Sequence, residues 1–426
     1  MRIFKNTFLN FLTLAIVSCS IISSNATASQ AISPSNTEAV SAEEAKEDIL
    51  DDIGLTEMDL ASKKKAKDIS EKLSELIPAA VDDCARQRAS ALIETVKKNP
   101  QNFGVAIEKY ANVKIEKPFI IYSAANLGKQ DLIYYYPISN HGKIILMLNV
   151  MECGGSYTAS ISTDYASMLN KLDYQNNEDY IFYTDGENLY AENNDAAKIL
   201  TDASQSDNHV LSDREKANVK IFKRLSIKNK IDAILHSYSA VTEQDEAFKK
   251  DMLQGARGFS TKKGFVVRMN TSGCLVPQYK NDETCWAASV ATTLRYLNYP
   301  KYKSLTARQV ADKMKIKYSK GGTNLDQQRA LKKYGATYKI DHCQVSFETV
   351  QKNILAQKPV LISAYGRSYG HSLVIIGYTT YGGVKQITYY DPALNKCASV
   401  EYIKKPRTVF RFKDDIIRWF DTLRCK

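Results

Sequence analysis

The chain has 426 residues, 44% of them hydrophobic and 25% charged, and a formal net charge of +11. Residues 264–426 carry 27 Lys+Arg against 11 Asp+Glu, a net +16, which leaves the first 263 residues at −5. The length predicts two to three domains. The basic half carries no zinc spacing, basic helix repeat or aromatic-basic strand signature, so nucleic acid is not an expected partner; a solvated basic surface facing anionic cell walls or membranes is expected instead.

In chain order, residues 1–28 have the layout of an export signal. Arg2 and Lys5 form a positive start, Phe8 to Val17 an apolar core, and Ala26-Thr27-Ala28 a small-residue cleavage site. A rival reading takes Ile16-Val17-Ser18-Cys19 as a lipoprotein signal acylated at Cys19. Either form is exported, and nothing else approaches the ~18 apolar residues of a membrane span. Residues 29–46 read as a disordered tether. Residues 47–263 read as a helical and β-rich region with a core of its own. Leu73, Leu76, Ile77 and Val81 recur at helix spacing, followed by Ala89, Leu92, Ile93 and Val96. Strands are expected at Phe119–Tyr122, Leu132–Tyr136, Lys143–Val150 and Tyr180–Tyr183, with turns at Asn140-His141-Gly142 and Asp185-Gly186. Gly255 to Gly264, flexible and basic, is the expected boundary and an expected cleavage site.

Residues 264–426 alternate helix and strand patterns. Helices are expected at Cys285–Tyr299, with Val290, Leu294 and Leu297 on one face, and after a Thr306/Gln309 capping box. Two more are expected, one capped by Asn324 and ending near Gly335 and one over Ser346–Gln357. Strands are expected at Val360–Tyr365, His371–Tyr378, Gln386–Tyr390 and Ser399–Ile403. The fold class is therefore α+β.

The chemistry concentrates in this half. Cys285 opens an apolar helix, whose N-terminal N–H groups and dipole favour a negative sulfur. Gln278, seven positions upstream, brings an amide able to donate to an oxyanion. His371 stands at the mouth of an apolar strand, and Asp391 ends the next one, placed to hold the other ring nitrogen. Nucleophile, base and orienter in that order form the logic of a catalytic triad. His342, beside Asp341 and Cys343, lacks the Gly-flanked strand that frames His371 and reads as filler; His141, His209 and His236 are isolated.

Val276-Pro277-Gln278…Cys285-Trp286-Ala287-Ala288 resembles the signature of papain-like cysteine proteases, in particular their compact bacterial secreted and effector branch. The resemblance covers residues 264–426. It implies a two-lobed fold, with Cys285 as nucleophile, His371 as general base, Asp391 in the place of the family's Asn or Asp, and Gln278 in the oxyanion hole. It implies a protein or peptide substrate and neither metal nor cofactor. It also implies that the upstream region is an inhibitory pro-region acting in cis; the alternative is an accessory adhesion or carbohydrate-binding module that stays attached. The Gln278–Cys285 gap is one residue longer than in papain itself. Trp286 fills the helix core or shields the His371–Asp391 contact. Three other readings stay open: a papain-like cell-wall amidase, a transglutaminase-like deamidase, and a non-catalytic exported binding protein. With Cys285 free, the even number of remaining cysteines suits one disulfide between Cys84 and Cys153 and two among Cys274, Cys343, Cys397 and Cys425; the alternative is that they are reduced.

Overall fold

The computed structural model describes residues 77–106, 113–125, 132–172, 180–193, 197–200, 211–235, 265–366, 369–412 and 415–426. The expected export signal with Cys19, the tether, the Leu73–Leu76 turn, His209, His236 and the Gly255–Gly264 boundary lie outside the described residues. All of the described residues belong to one unit spanning residues 52–426. Among them no helix is long and apolar enough to cross a membrane.

The upstream part begins with α1 (Ala79–Lys97), which turns Val81, Ala85, Ala89, Leu92 and Val96 inward. Its strands are β1 (Val113–Ile115), β2 (Phe119–Ser123), β3 (Ile133–Asn140), β4 (Lys143–Glu152) and β5 (Tyr157–Ser162), followed by the short helix α2 (Ala166–Lys171). Then come β6 (Ile181–Thr184), β7 (Leu189–Glu192), β8 (Ala197–Ile199) and helix α3 (Asp213–Arg224). The β3–β4 hairpin pairs Asn140 with Lys143. His141 and Gly142, at φ 48° and 75°, form the two-residue positive-φ loop that matches strand twist.

The downstream part holds β9 (Phe265–Arg268), α4 (Cys285–Leu297), α5 (Ala307–Met314), α6 (Asn324–Lys333), β10 (Tyr338–Asp341) and α7 (Phe347–Leu355). Its remaining strands are β11 (Val360–Tyr365), β12 (Gly370–Tyr381), β13 (Val384–Asp391), β14 (Lys396–Glu401), β15 (Val409–Phe412) and β16 (Asp415–Cys425). The result is a mixed α+β architecture. Helix α5 carries the Thr306/Gln309 capping box. Helix α6 is capped one residue earlier than expected, by Thr323 in a capping box with Asp326. Asn324 instead donates to Asp421 Oδ2 at 2.7 Å and accepts from Ser363 Oγ. Leu297, expected inside, is 38% exposed.

Strands run in the order β10-β16-β11-β12-β13-β14-β5-β4-β3-β2-β6-β7-β8. The upstream strands thus continue the downstream sheet through one antiparallel junction, Ile161 opposite Ser399 and Ser160 opposite Val400. One hydrophobic cluster crosses this junction: Phe119, Tyr135, Met147 and Leu169 share it with Leu373, Ile375, Tyr389 and Trp419. The upstream region, expected to have a core of its own, therefore shares a core cluster with the downstream half. Helices α4, α5 and α6 gather a separate cluster around Trp286, Val290, Leu294, Val310 and Leu331.

The described cysteines are all free, so none of the pairs suited by cysteine parity is formed among them. Parity counts thiols and says nothing of where they fall. Cys84 and Cys397 are buried in apolar surroundings that push both thiols up to about 12, while Cys153 donates to the Arg407 carbonyl at 3.1 Å.

Candidate active site

Cys285 is the first residue of α4 and is half-buried. No side chain caps this helix end, so the first-turn N–H groups stay open toward the sulfur and its surroundings. The next residue, Trp286, is buried in the helical cluster. Gly322 lies flat on its indole, where a Cβ would come within 2.4 Å of the ring. Trp286 therefore fills the core beneath the helix start.

His371 is the second residue of β12, paired with Ala364 on β11, and it is 5% exposed. Its Nε2 lies 2.8 Å from Asp391 Oδ1. An ionised carboxylate only accepts, so Nε2 carries the hydrogen and Nδ1 is left for the Cys285 sulfur, which is near enough to act on the ring's protonation. Burial pulls the imidazole pKa down, but the Asp391 charge and hydrogen bond, with the Cys285 sulfur, outweigh it and raise the value from 6.5 to about 10. The neighbouring Ser372 ties β12 to the helices: its carbonyl accepts from Ser289 Oγ on α4 at 3.2 Å, and its hydroxyl from Gln327 Nε2 on α6 at 3.0 Å.

Asp391 ends β13 in an Asp-Pro turn. Its Oδ1 also accepts the N–H groups of Ala393 and Leu394 at 2.9 and 3.3 Å, so the carboxylate is fixed by its own turn. Its Oδ2 is buried without a hydrogen-bond partner. Asp391 borders a small cavity lined also by Asn149, Asp164, Leu394, Lys396, Cys397 and Arg411. Asp164, from the upstream region, pairs there with Arg411 and with Lys396 at 3.2 Å. Burial pushes its carboxyl up, yet the two cations hold it below the usual range.

Gln278 lies on the loop leading to α4. Its backbone N–H donates to the Pro392 carbonyl at 2.9 Å, which joins this loop to the turn after Asp391. Its Nε2 donates to the Asp282 carbonyl, and its Oε1 is buried with no partner. The structure thus brings Cys285, His371 and Asp391 into one chain of contacts, with Gln278 anchored to the same turn.

Sequence reasoning missed three neighbours. Phe412 lays its ring 4.1 Å from that of His371, tilted by 33°; the alternation Val409-Phe410-Arg411-Phe412 was the available strand signal. Arg308 grips Asp282 in a bidentate pair at 2.8 and 3.0 Å. Asp164 reaches the site from more than two hundred residues away in sequence, with no local signal. His342 is exposed, 3.4 Å from Asp421, and His141 sits in its hairpin turn. Among the described residues no group of three or more His, Cys, Asp or Glu could hold a metal.

Residues 274–414 match the model of the Peptidase_C39 like family. Staphopain B of Staphylococcus aureus is 24% identical over 364 residues, covering 78% of this chain and 84% of that protein. Staphopain B of Staphylococcus aureus strain MW2 is 24% identical over 366 residues, with the same coverage. These aligned lengths are more than twice that of residues 264–426, so the similarity extends into the upstream region. Together the matches support a papain-like cysteine peptidase.

Proposed function

We propose that this chain is an exported cysteine endopeptidase in which Cys285 is the nucleophile, His371 the general base and acid, and Asp391 the orienter of His371. Gln278 completes the oxyanion hole with the Cys285 N–H. His371 takes the Cys285 proton and the thiolate attacks the scissile carbonyl. The developing oxyanion accepts from the Gln278 amide and the Cys285 backbone N–H; one such donor is worth about 3 kcal/mol. As the C–N bond breaks, His371 protonates the leaving amine, and water then hydrolyses the thioester. The observation that carries this reading is the buried imidazole held at 2.8 Å by Asp391 and facing a cysteine at a helix N-terminus. Substrates are proteins or peptides. The sequence of residues 1–28 supports export, free or acylated at Cys19, and the basic residues 264–426 support association with an anionic cell surface.

Residues 29–263 are proposed with it as a pro-region. The β5–β14 junction and the Asp164 ion pairs support a region docked in cis beside Asp391. A second reading, retention as a permanent half of the fold, is supported by the continuous sheet and shared core. The experiment is hydrolysis of fluorescein-labelled casein by the full chain before and after limited trypsin treatment and trypsin inhibition. Activity that appears on cleavage and is absent from Cys285→Ala is the expected result. Equal activity before and after cleavage removes the pro-region role. Hydrolysis by Cys285→Ala removes the catalytic assignment.

A further inference from the structure

The loop from Gln278 to Thr284 has no regular structure of its own, yet on the catalytic reading it must hold an amide in position for an oxyanion. Arg308 is what grips it. From α5, its Nε and Nη2 donate to Asp282 Oδ2 and Oδ1 at 2.8 and 3.0 Å. Its guanidinium lies over the rings of Tyr279 and Tyr318, at 4.4 and 4.9 Å from their centroids. The Tyr318 carbonyl in turn accepts the Glu283 N–H at 2.6 Å. Inside this clamp the chain reverses through Asn281 at φ 68°, and the Asp282 carbonyl accepts Gln278 Nε2. Asp282 thus takes Arg308 with its side chain and Gln278 with its main chain.

Two further points separate this clamp from ordinary surface pairing. Asp282 is 6% exposed at its side chain while Arg308 is 43% exposed, so the carboxylate is buried against the loop. Arg308 also stands in the first turn of α5, two residues after the Thr306 cap, where the helix dipole disfavours a cation. Its position works against the helix it belongs to and for the loop it holds.

We propose that Arg308 is a positioning residue for the oxyanion hole: through Asp282 it holds Gln278 Nε2 on the Asp282 carbonyl by one hydrogen and leaves the second hydrogen of that nitrogen for the oxyanion. The inference rests on the catalytic reading above. The two ends of an amide differ only in hydrogen-bond sense. Because Gln278 Oε1 has no partner, the bond from Nε2 to the Asp282 carbonyl selects the orientation. With that carbonyl displaced, the amide is free to turn its oxygen toward the developing charge, where it repels. Lysine cannot replace the clamp fully, because it lacks the planar fork and the stacking face.

The test compares wild type, Arg308→Met and Arg308→Lys in the full chain after limited trypsin treatment, with two readouts. One is casein hydrolysis at saturation, whose transition state carries an oxyanion. The other is alkylation of Cys285 by iodoacetamide, located by mass spectrometry; it displaces iodide at a saturated carbon and forms no oxyanion. Arg308→Met is expected to lower hydrolysis about 10- to 100-fold while alkylation stays within about twofold, with Arg308→Lys between it and wild type. Unchanged hydrolysis, or hydrolysis and alkylation falling together, overturns the clamp and leaves the catalytic reading standing. Hydrolysis that survives Cys285→Ala overturns both. If Arg308→Met unfolds, seen as alkylation of the buried Cys84 and Cys397, then Arg308→Lys and Asp282→Asn, which keeps the main-chain carbonyl, decide by the same two readouts.

Discussion

Asp391 serves His371 and its own turn with the same oxygen: Oδ1 lies 2.8 Å from His371 Nε2 and accepts the N–H groups of Ala393 and Leu394. The carboxylate cannot rotate toward or away from the imidazole without giving up the turn. Substitutions should therefore separate the two duties. Asp391→Asn keeps an oxygen for the turn and loses the charge that holds imidazolium. Since an amide oxygen still accepts from the His371 N–H, the variant is expected to lower kcat about 10-fold or less, with a small loss of thermal stability. Asp391→Ala removes the acceptor and should lower kcat about 10²-fold or more, with a clearly larger fall in Tm, measured by calorimetry beside casein turnover.

The raised His371 pKa gives a pH prediction with a definite sign. The folded value of about 10 lies above the ordinary 6.5, so the protonated ring favours the folded state. Its contribution is fully present below about 6.5, shrinks as pH rises, and is gone above about 10. Denaturant unfolding of wild type and His371→Gln is expected to show a stability difference that narrows across that window. A difference that stays constant from pH 6 to about 10.5 contradicts the assignment. The alkaline limb of hydrolysis should likewise fall near 10, because the leaving amine needs the proton.

Local signals made much of the site legible in advance. Cys285 before an apolar helical run, Thr306 before Gln309, and the alternation around His371 each state their structure within a few residues. The sequence places the cap of α6 one position late because Thr323 and Asn324 are both good caps, and only the Asp326 partner and the Asp421 contact of Asn324 decide between them. What stayed hidden is non-local. The β5–β14 junction consists of two residue pairs more than two hundred positions apart, and β16 inserts beside β11 from the far end of the chain. Asp164 and Phe412 reach the site by such routes, and Arg308 by a fold-back of 26 positions; the alternation around Phe412 gives its strand and not its place beside His371.

Gly322 provides a packing prediction. A methyl group there would stand 2.4 Å from the Trp286 ring, so Gly322→Ala must push the indole and the start of α4. A loss of about 1–3 kcal/mol in urea unfolding is expected, together with slower Cys285 alkylation because the first helical turn shifts.

The Asp164 ion pairs join the upstream region to the sheet behind Asp391. Asp164→Leu leaves the buried Arg411 guanidinium without this carboxylate and is expected to cost about 3–5 kcal/mol. Replacing both partners, Asp164→Leu with Arg411→Met, should restore a large part of that loss. A double variant as unstable as the sum of the singles would mean that the pair contributes no coupling, and urea titration of the four proteins measures it.

The most direct measurement is covalent labelling of the trypsin-treated full chain by an epoxysuccinyl probe selective for papain-like thiolates, with the site read by mass spectrometry. One adduct on Cys285, lost in Cys285→Ala and strongly slowed in His371→Gln, is the result that the Cys285–His371–Asp391 account predicts. Folded protein that takes no label, or labelling that persists in Cys285→Ala, would contradict it.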